Sequence, residues 1–371
     1  MIPVYAGVNG FYLKYLCFTV CKQLLTVCSA LLIGLTSAST VSCAAQPVNP
    51  DKPHHTGDGF RNLHLEEDHG FSDFLRWRWD RLWKKFPSPD SYHFPVAENN
   101  SSFLKSNDEE TSLTWIGHAT LLIQINGVNI LTDPQFSKRA SPVQWAGPER
   151  VVPPSPPLDE LPPIHMVLIS HDHYDSLDVQ SVKMLHNREG GKDTIFFVPL
   201  GLKEWLQKLG VTNVVEIDWW EEFRAGPLTI VAAPMQHWGK RSPFSRNNHL
   251  WASWIVLSED FRFYFGGDTG YSPHFRETGK KFGPFDLAAL PIGAYEPRWF
   301  MKNHHINPEE AVEAHKDLKS KKSVAMHWGT FILTDEPLDE PPRLLKEAMK
   351  EQGLSEEEFL ILQHGETILL E

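Results

Sequence analysis

The feature that most constrains this chain is a recurring pair: a strand-like apolar run, then a metal-ligand side chain just past its end. Met166–Ser170 reads as an apolar strand and runs straight into His171-Asp172-His173-Tyr174-Asp175-Ser176. Leu228–Ala232 leads to His237, Phe261–Phe265 to Asp268, and Ser323–Met326 to His327. Two histidines at i, i+2 after a strand can converge on one ion from a tight loop, and Asp175 can reach a neighbouring ion. Zinc takes imidazole nitrogens and carboxylate oxygens in such sites, with His neutral and Asp ionised. Gly266 and Gly267 let the chain turn tightly before Asp268. A lone His after a strand is more often structural, and a lone Gly-Asp-Thr-Gly is usually a turn. Four such pairs in one order, at domain-scale spacing, point together to a metal centre.

The cysteines narrow the ligand chemistry. Cys17, Cys21, Cys28 and Cys43 all precede Ala44, and the rest of the 371-residue chain has none. The body therefore has no disulfide framework and no thiolate ligand, so nitrogen and oxygen must hold any metal. Zinc suits such a set, and so do iron and manganese. The net charge of −12 argues against a phosphate-gripping nucleic-acid binder. The 13 Trp and 22 Phe suit an apolar binding surface or an aromatic-rich core.

Residues 1–45 contain the apolar run Leu24–Ser37, preceded by Lys14 and Lys22 and followed by small residues. This describes a secretory signal peptide or a membrane anchor, short for a spanning helix. Cys43 sits in a weak lipoprotein-like context, so the expected location is exported or membrane-associated, with Cys43 as a candidate lipid attachment site. Residues 46–110 are polar and read as an arm. Within it, Phe74–Phe86 places Leu75, Trp79, Leu82, Trp83 and Phe86 at helical spacing among Arg and Lys. Such a basic amphipathic helix either docks on its own domain or lies at a membrane surface.

From Ser112 the pattern becomes that of a folded domain over 111–371. Leu121–Leu131 predicts a hairpin turning at Asn126-Gly127. Further strands are expected at Thr194–Val198, Val214–Ile217, Leu250–Leu257, Leu287–Leu290 and Phe359–Leu362, and helices at Val179–Arg188, Leu202–Leu209 and Pro308–Leu318. Asn307, Pro308 and Glu310 form a helix-start signal. Val151–Pro163 is Pro-rich and reads as a stiff surface loop. Strand pairs mixed with helices suggest two sheets with helices outside.

The ligand order His-x-His-x-Asp, His, Asp, His resembles that of the metallo-β-lactamase superfamily. The runs Trp115-Ile116-Gly117-His118-Ala119-Thr120, Thr132-Asp133-Pro134, Gln236-His237-Trp238, Pro291–Trp299 and His327-Trp328-Gly329-Thr330 resemble its N-acyl-phosphatidylethanolamine-hydrolysing phospholipase D branch. The likeness covers about residues 110–371. It implies an αββα sandwich, two mixed β-sheets flanked by helices. It implies two zinc ions, with His171, His173 and His237 on the first, Asp175 and His327 on the second, and Asp268 bridging and orienting the nucleophile. It implies that hydroxide attacks the phosphorus of a phospholipid with no covalent enzyme intermediate, releasing N-acylethanolamine and phosphatidic acid. His305 matches a histidine near the substrate. His118 and Asp133 are expected to orient ligands, and Tyr174, Trp238 and Trp328 to wall the site or pack beside it.

One position departs from the pattern. Ser176 stands where the family has a second-zinc histidine, so that position is expected to be weak, completed by water, or empty. The rival readings are a hydrolase of another phosphodiester or of a lactone, and a non-catalytic lipid- or metal-binding relative. A membrane surface is the expected partner, nucleic acid is not, and a homodimer is compatible with the sequence.

Overall fold

Two seven-stranded mixed sheets face one another in the computed structural model, which describes residues 49, 51–65, 69–242 and 244–370. The expectations for residues 1–45 lie outside the described residues. Residues 46–371 form one compact unit, so the arm expected over 46–110 packs into the same body as the domain behind it.

Strands are numbered in chain order. The arm opens with β1 (His55–Thr56) and β2 (Gly59–Phe60). The first large sheet holds β3 (Ser112–Gly117), β4 (Thr120–Ile125), β5 (Val128–Thr132), β6 (Met166–Leu168), β7 (Ile195–Pro199) and β8 (Val214–Ile217), with β16 (Thr367–Leu369) beside β3. The second holds β9 (Glu222–Ala225), β10 (Leu228–Ala233), β11 (Ser253–Leu257), β12 (Arg262–Phe265), β13 (Leu287–Pro291), β14 (Lys322–Met326) and β15 (Phe359–Leu360) in sequential order. Each sheet runs through three antiparallel pairings and then three parallel ones. Two antiparallel steps restore direction, so β10, β12, β13 and β14 all point the same way. Their carboxyl ends lie at one edge, and that is where His237, Asp268 and His327 follow.

Local chemistry explains the elements that matter. Asn126 (φ 51°) and Gly127 (φ 72°) make the tight β4–β5 turn, with Ile125 opposite Val128. The core between the sheets contains Trp115, Ile123, Leu168, Ile230, Trp254, Phe263 and Val324, all fully buried. A second cluster, including Ile116, Leu122, Val167, Val182 and Leu206, seals the outer face of the first sheet.

Helices α1 (Phe71–Arg81) and α2 (Ser101–Ser106) belong to the arm; α3 (Val179–Asn187), α4 (Leu202–Lys208), α5 (His274–Lys281), α6 (Arg298–Met301), α7 (Pro308–Leu318) and α8 (Glu340–Gln352) follow. α7 begins as its sequence signals: Asn307 Oδ1 accepts from Glu310 N and Glu310 Oε2 from Asn307 N. The helix expected at 74–86 runs instead from Phe71 to Arg81, because the Asp73 carboxylate accepts from Gly70 N and starts it earlier. Trp83 and Phe86 fall beyond its end. Its buried side chain is Trp77, not the expected apolar row. Val151–Pro163 is less superficial than its composition suggests, since Val152, Leu158 and Leu161 are buried.

Candidate metal centre

The loop after β6 is fixed by hydrogen bonds of its own. Asp133 Oδ1 accepts from Ser170 N at 2.7 Å, and its other oxygen accepts from the Ser170 hydroxyl. Ser170 Oγ in turn lies 2.8 Å from His171 Nδ1. With the hydroxyl donating to Asp133, Nδ1–H of His171 donates to the hydroxyl, which leaves Nε2 with its lone pair facing inward. His237 is set the same way: its Nδ1–H donates to His304 O at 2.9 Å. Its backbone is clamped from the arm, where Asn62 Nδ2 donates to His237 O at 2.8 Å and Asn62 Oδ1 accepts from His237 N at 3.2 Å.

These lone pairs meet. His171 Nε2 lies 2.9 Å from His173 Nδ1, and His237 Nε2 lies 3.1 Å from the same atom. One shared proton cannot satisfy three nitrogens, whereas a cation among them can. His171, His173 and His237 could therefore hold one ion.

A second group adjoins it. His118 Nε2 lies 3.1 Å from Asp175 Oδ2, and His327 Nε2 lies 3.4 Å from the same oxygen. Asp268 links the two groups: its Oδ2 is 3.0 Å from His327 Nε2 and 3.8 Å from His171 Nε2. Its Oδ1 is buried without a hydrogen-bond partner, as is His173 Nε2. A buried carboxylate oxygen left bare is costly, and a bridging cation would relieve it. The donor set, imidazole and carboxylate without thiolate, fits divalent zinc, iron or manganese.

Electrostatics separates the two halves. Burial pushes His173 down to about 4 and His237 well below the usual imidazole range, so both are neutral and ready to bind. Burial also penalises charge on His327, but the carboxylates of Asp268 and Asp175 outweigh it and push the ring up to about 10. Despite burial, hydrogen bonds from His118 and His327 hold Asp175 well below the ordinary carboxylate range. Asp268 is also held low against burial, by the neighbouring His327.

The expected residues are thus gathered at one end of the two sheets. His305 is not at the surface: its ring centroid is 5.1 Å from that of His237 and 5.8 Å from that of His327. Burial pushes it down to about 3. Trp238 packs edge-on to His173 at 4.4 Å. Trp328 instead stacks on Trp115 in the core at 5.1 Å, and Tyr174 turns outward, its hydroxyl donating to Arg241 O. Ser176 Oγ is buried without a partner. Sequence reading passed over Ser170 and Asn62. Ser170 was signalled by its place between a strand and a ligand; nothing in the sequence marks Asn62.

Residues 128–328 match the model of the Beta-lactamase superfamily domain. The chain is 46% identical over 265 residues to N-acyl-phosphatidylethanolamine-hydrolyzing phospholipase D 1 of Caenorhabditis elegans, covering 68% of this chain and 74% of that one. It is 35% identical over 267 residues to the mitochondrial N-acyl-phosphatidylethanolamine-hydrolyzing phospholipase D of Saccharomyces cerevisiae, covering 69% and 55%. Among solved structures, Igni18, a metallo hydrolase from Ignicoccus hospitalis, superposes with a TM-score of 0.53 at 20% identity, over 71% of this chain and 99% of that one. At that identity the likeness speaks for the fold alone.

Proposed function

Because the chain belongs to the N-acyl-phosphatidylethanolamine-hydrolysing phospholipase D family of metallo-β-lactamase-fold hydrolases, we propose that it is a zinc-dependent phosphodiesterase that cleaves N-acyl-phosphatidylethanolamine. The observation that carries this reading is the pair of adjoining donor groups joined through Asp268. A pair of divalent ions bound there would supply hydroxide at neutral pH and neutralise the phosphate under attack.

The protein's own groups then have distinct tasks. His171, His173 and His237 would hold one position; Asp175 and His327 would hold the other, with Asp268 shared between them. The Asp133–Ser170 pair fixes the ring of His171. Neutral His305, beside both groups, offers one N–H to a phosphate oxygen or to the departing ethanolamine oxygen. Water adds its oxygen to phosphorus, the bond from phosphorus to the ethanolamine oxygen breaks, and a proton ends on that oxygen. The products are phosphatidic acid and N-acylethanolamine.

A membrane-held substrate suits the surface beside the site. Among the described residues no helix is long and apolar enough to cross a membrane. Instead Leu75, Trp79, Leu82 and Trp83 are exposed on and after α1, among Arg76, Arg78, Lys84 and Lys85. α1 docks by Trp77 stacking on Phe300 of α6 at 5.4 Å, and Met301 of α6 accepts a hydrogen bond from His305 N. The aromatic and basic surface is thus two contacts from the candidate centre.

The test is hydrolysis by zinc-loaded full chain of N-acyl-phosphatidylethanolamine in vesicles, beside a soluble phosphodiester and a lactone. Phosphatidic acid release, lost in Asp268→Asn, is expected. Turnover of only the soluble phosphodiester or the lactone would replace the lipid reading. No turnover of any of them would favour a binding protein.

A further inference from the structure

We propose that His118 is a ligand of the second metal position and supplies the imidazole that Ser176 lacks. The inference rests on the metal-centre reading above and not on its lipid substrate. Without His118 the second position has Asp175, His327 and the shared Asp268. With it, four protein groups surround one point, and zinc can expand to a fifth ligand during reaction.

The convergence is the first argument. The donor atoms of His118, Asp175 and His327 all lie within 4.8 Å of one another. A histidine that merely braced a liganding carboxylate would take the oxygen turned away from the ion. Here His118 Nε2 and His327 Nε2 both face the same oxygen, Asp175 Oδ2, at 3.1 and 3.4 Å. The two rings lie side by side, centroids 4.0 Å apart.

The backbone is the second argument. His118 (φ 56°) and His327 (φ 61°) both occupy the left-handed region. A non-glycine residue there is strained and persists only where its surroundings over-determine it. Each holds the other: His327 N donates to His118 O at 2.9 Å. Thr330 Oγ1 accepts from His118 N and Trp115 Nε1 donates to His118 O, both at 2.9 Å. The bend that strains His118 turns its ring out of the β3–β4 hairpin and onto Asp175. Ser176 Oγ, buried and unpartnered, gives the same position no imidazole.

The experiment loads the full chain with ¹¹³Cd²⁺ and reads both metal stoichiometry and ¹¹³Cd–¹⁵N coupling at the histidine ring nitrogens. The unaltered protein is expected to bind two ions and to show coupling at His118 Nε2. His118→Asn keeps a residue that tolerates the left-handed backbone. It should weaken only the second ion, by more than ~100-fold, beyond the roughly 10–100-fold typical of losing an outer hydrogen-bond partner of a ligand. Adding Ser176→His to that variant should restore the second ion. Two bound ions without coupling at His118 Nε2 would overturn the assignment while leaving the metal centre intact. A single ion at saturation, with no coupling at His118 or His327, would overturn the two-metal reading itself. The coupling is read on the unaltered chain, so misfolding of a variant does not remove the test.

Discussion

Ser170 decides the tautomer of His171. Its hydroxyl donates to the Asp133 carboxylate and lies beside His171 Nδ1. Ser170→Ala removes the acceptor for Nδ1–H and frees the ring to present the wrong nitrogen. First-site metal affinity should fall roughly 10–100-fold with little change in the second, measured by chelator competition. An unchanged first-site affinity would mean that the loop alone fixes the ring. Proton release offers a second residue-scale test. His327, pushed up to about 10, carries a proton at pH 8 in the metal-free protein, and an ion must displace it. Second-site affinity should therefore rise about tenfold per pH unit between pH 7.5 and 9. Calorimetry in buffers of different ionisation heat should count one proton released with that ion. His173 and His237, pushed down by burial, have no proton to give in that range. Equal proton release at both sites would refute the contrast. The liganding types were legible in the sequence because each follows a strand end. What His118 does was not, because its contact with Asp175 exists only once the β3–β4 hairpin meets the loop after β6.

At the scale of elements, the arm is tied down by charge as well as by apolar packing. Asp218, just past β8, accepts from His54 Nε2 at 2.7 Å, His55 Nε2 at 2.9 Å and Lys52 Nζ at 2.6 Å. These bonds hold its carboxyl well below the ordinary range, against the cost of burial. A depressed carboxylate stabilises the fold above its ordinary value near 4, and that contribution drains away as pH falls further. Asp218→Asn should cost about 3 kcal/mol at pH 7, as removal of one partner of a buried ion cluster does. The gap in urea midpoint from the unaltered chain should narrow as pH falls below about 4. A gap that stayed constant would place the loss in packing. None of this shows in the local sequence, since His54 and Asp218 meet only in the fold. Element ends misled for similar reasons. β9 escaped notice because Glu222, Phe223 and Arg224 are exposed and carry no alternation. α8 escaped because it opens on Glu-Pro-Pro. By contrast, the strands that carry ligands are buried nearly throughout and read as apolar runs.

The whole molecule repeats one strand plan in two facing sheets, yet the sequence shows no repeat, because a strand buried on both faces can be built from many combinations of apolar residues. That plan places the site at one edge of the sheets, and α1 is tied to the same body, anchored by Trp77 and by Arg81 and Lys84 on Asp335. The anchoring leaves Trp79 and Trp83 outside, 63% and 77% exposed. Large aromatic side chains standing in water among cations gain most by entering an anionic lipid interface. A fully buried large apolar side chain contributes roughly 1.5–3 kcal/mol, and interfacial insertion recovers part of it. Replacing both Trp79 and Trp83 by Ser should weaken adsorption to phosphatidylglycerol-containing vesicles by about 2 kcal/mol, or roughly thirtyfold, in a sedimentation assay. Hydrolysis of a soluble phosphodiester should stay unchanged, because neither residue touches the donor groups. High salt should weaken the residual binding further, since the remaining Arg and Lys attraction is screened. Vesicle binding that survived the double replacement would assign α1 to the arm alone and move the lipid contact elsewhere on the same edge.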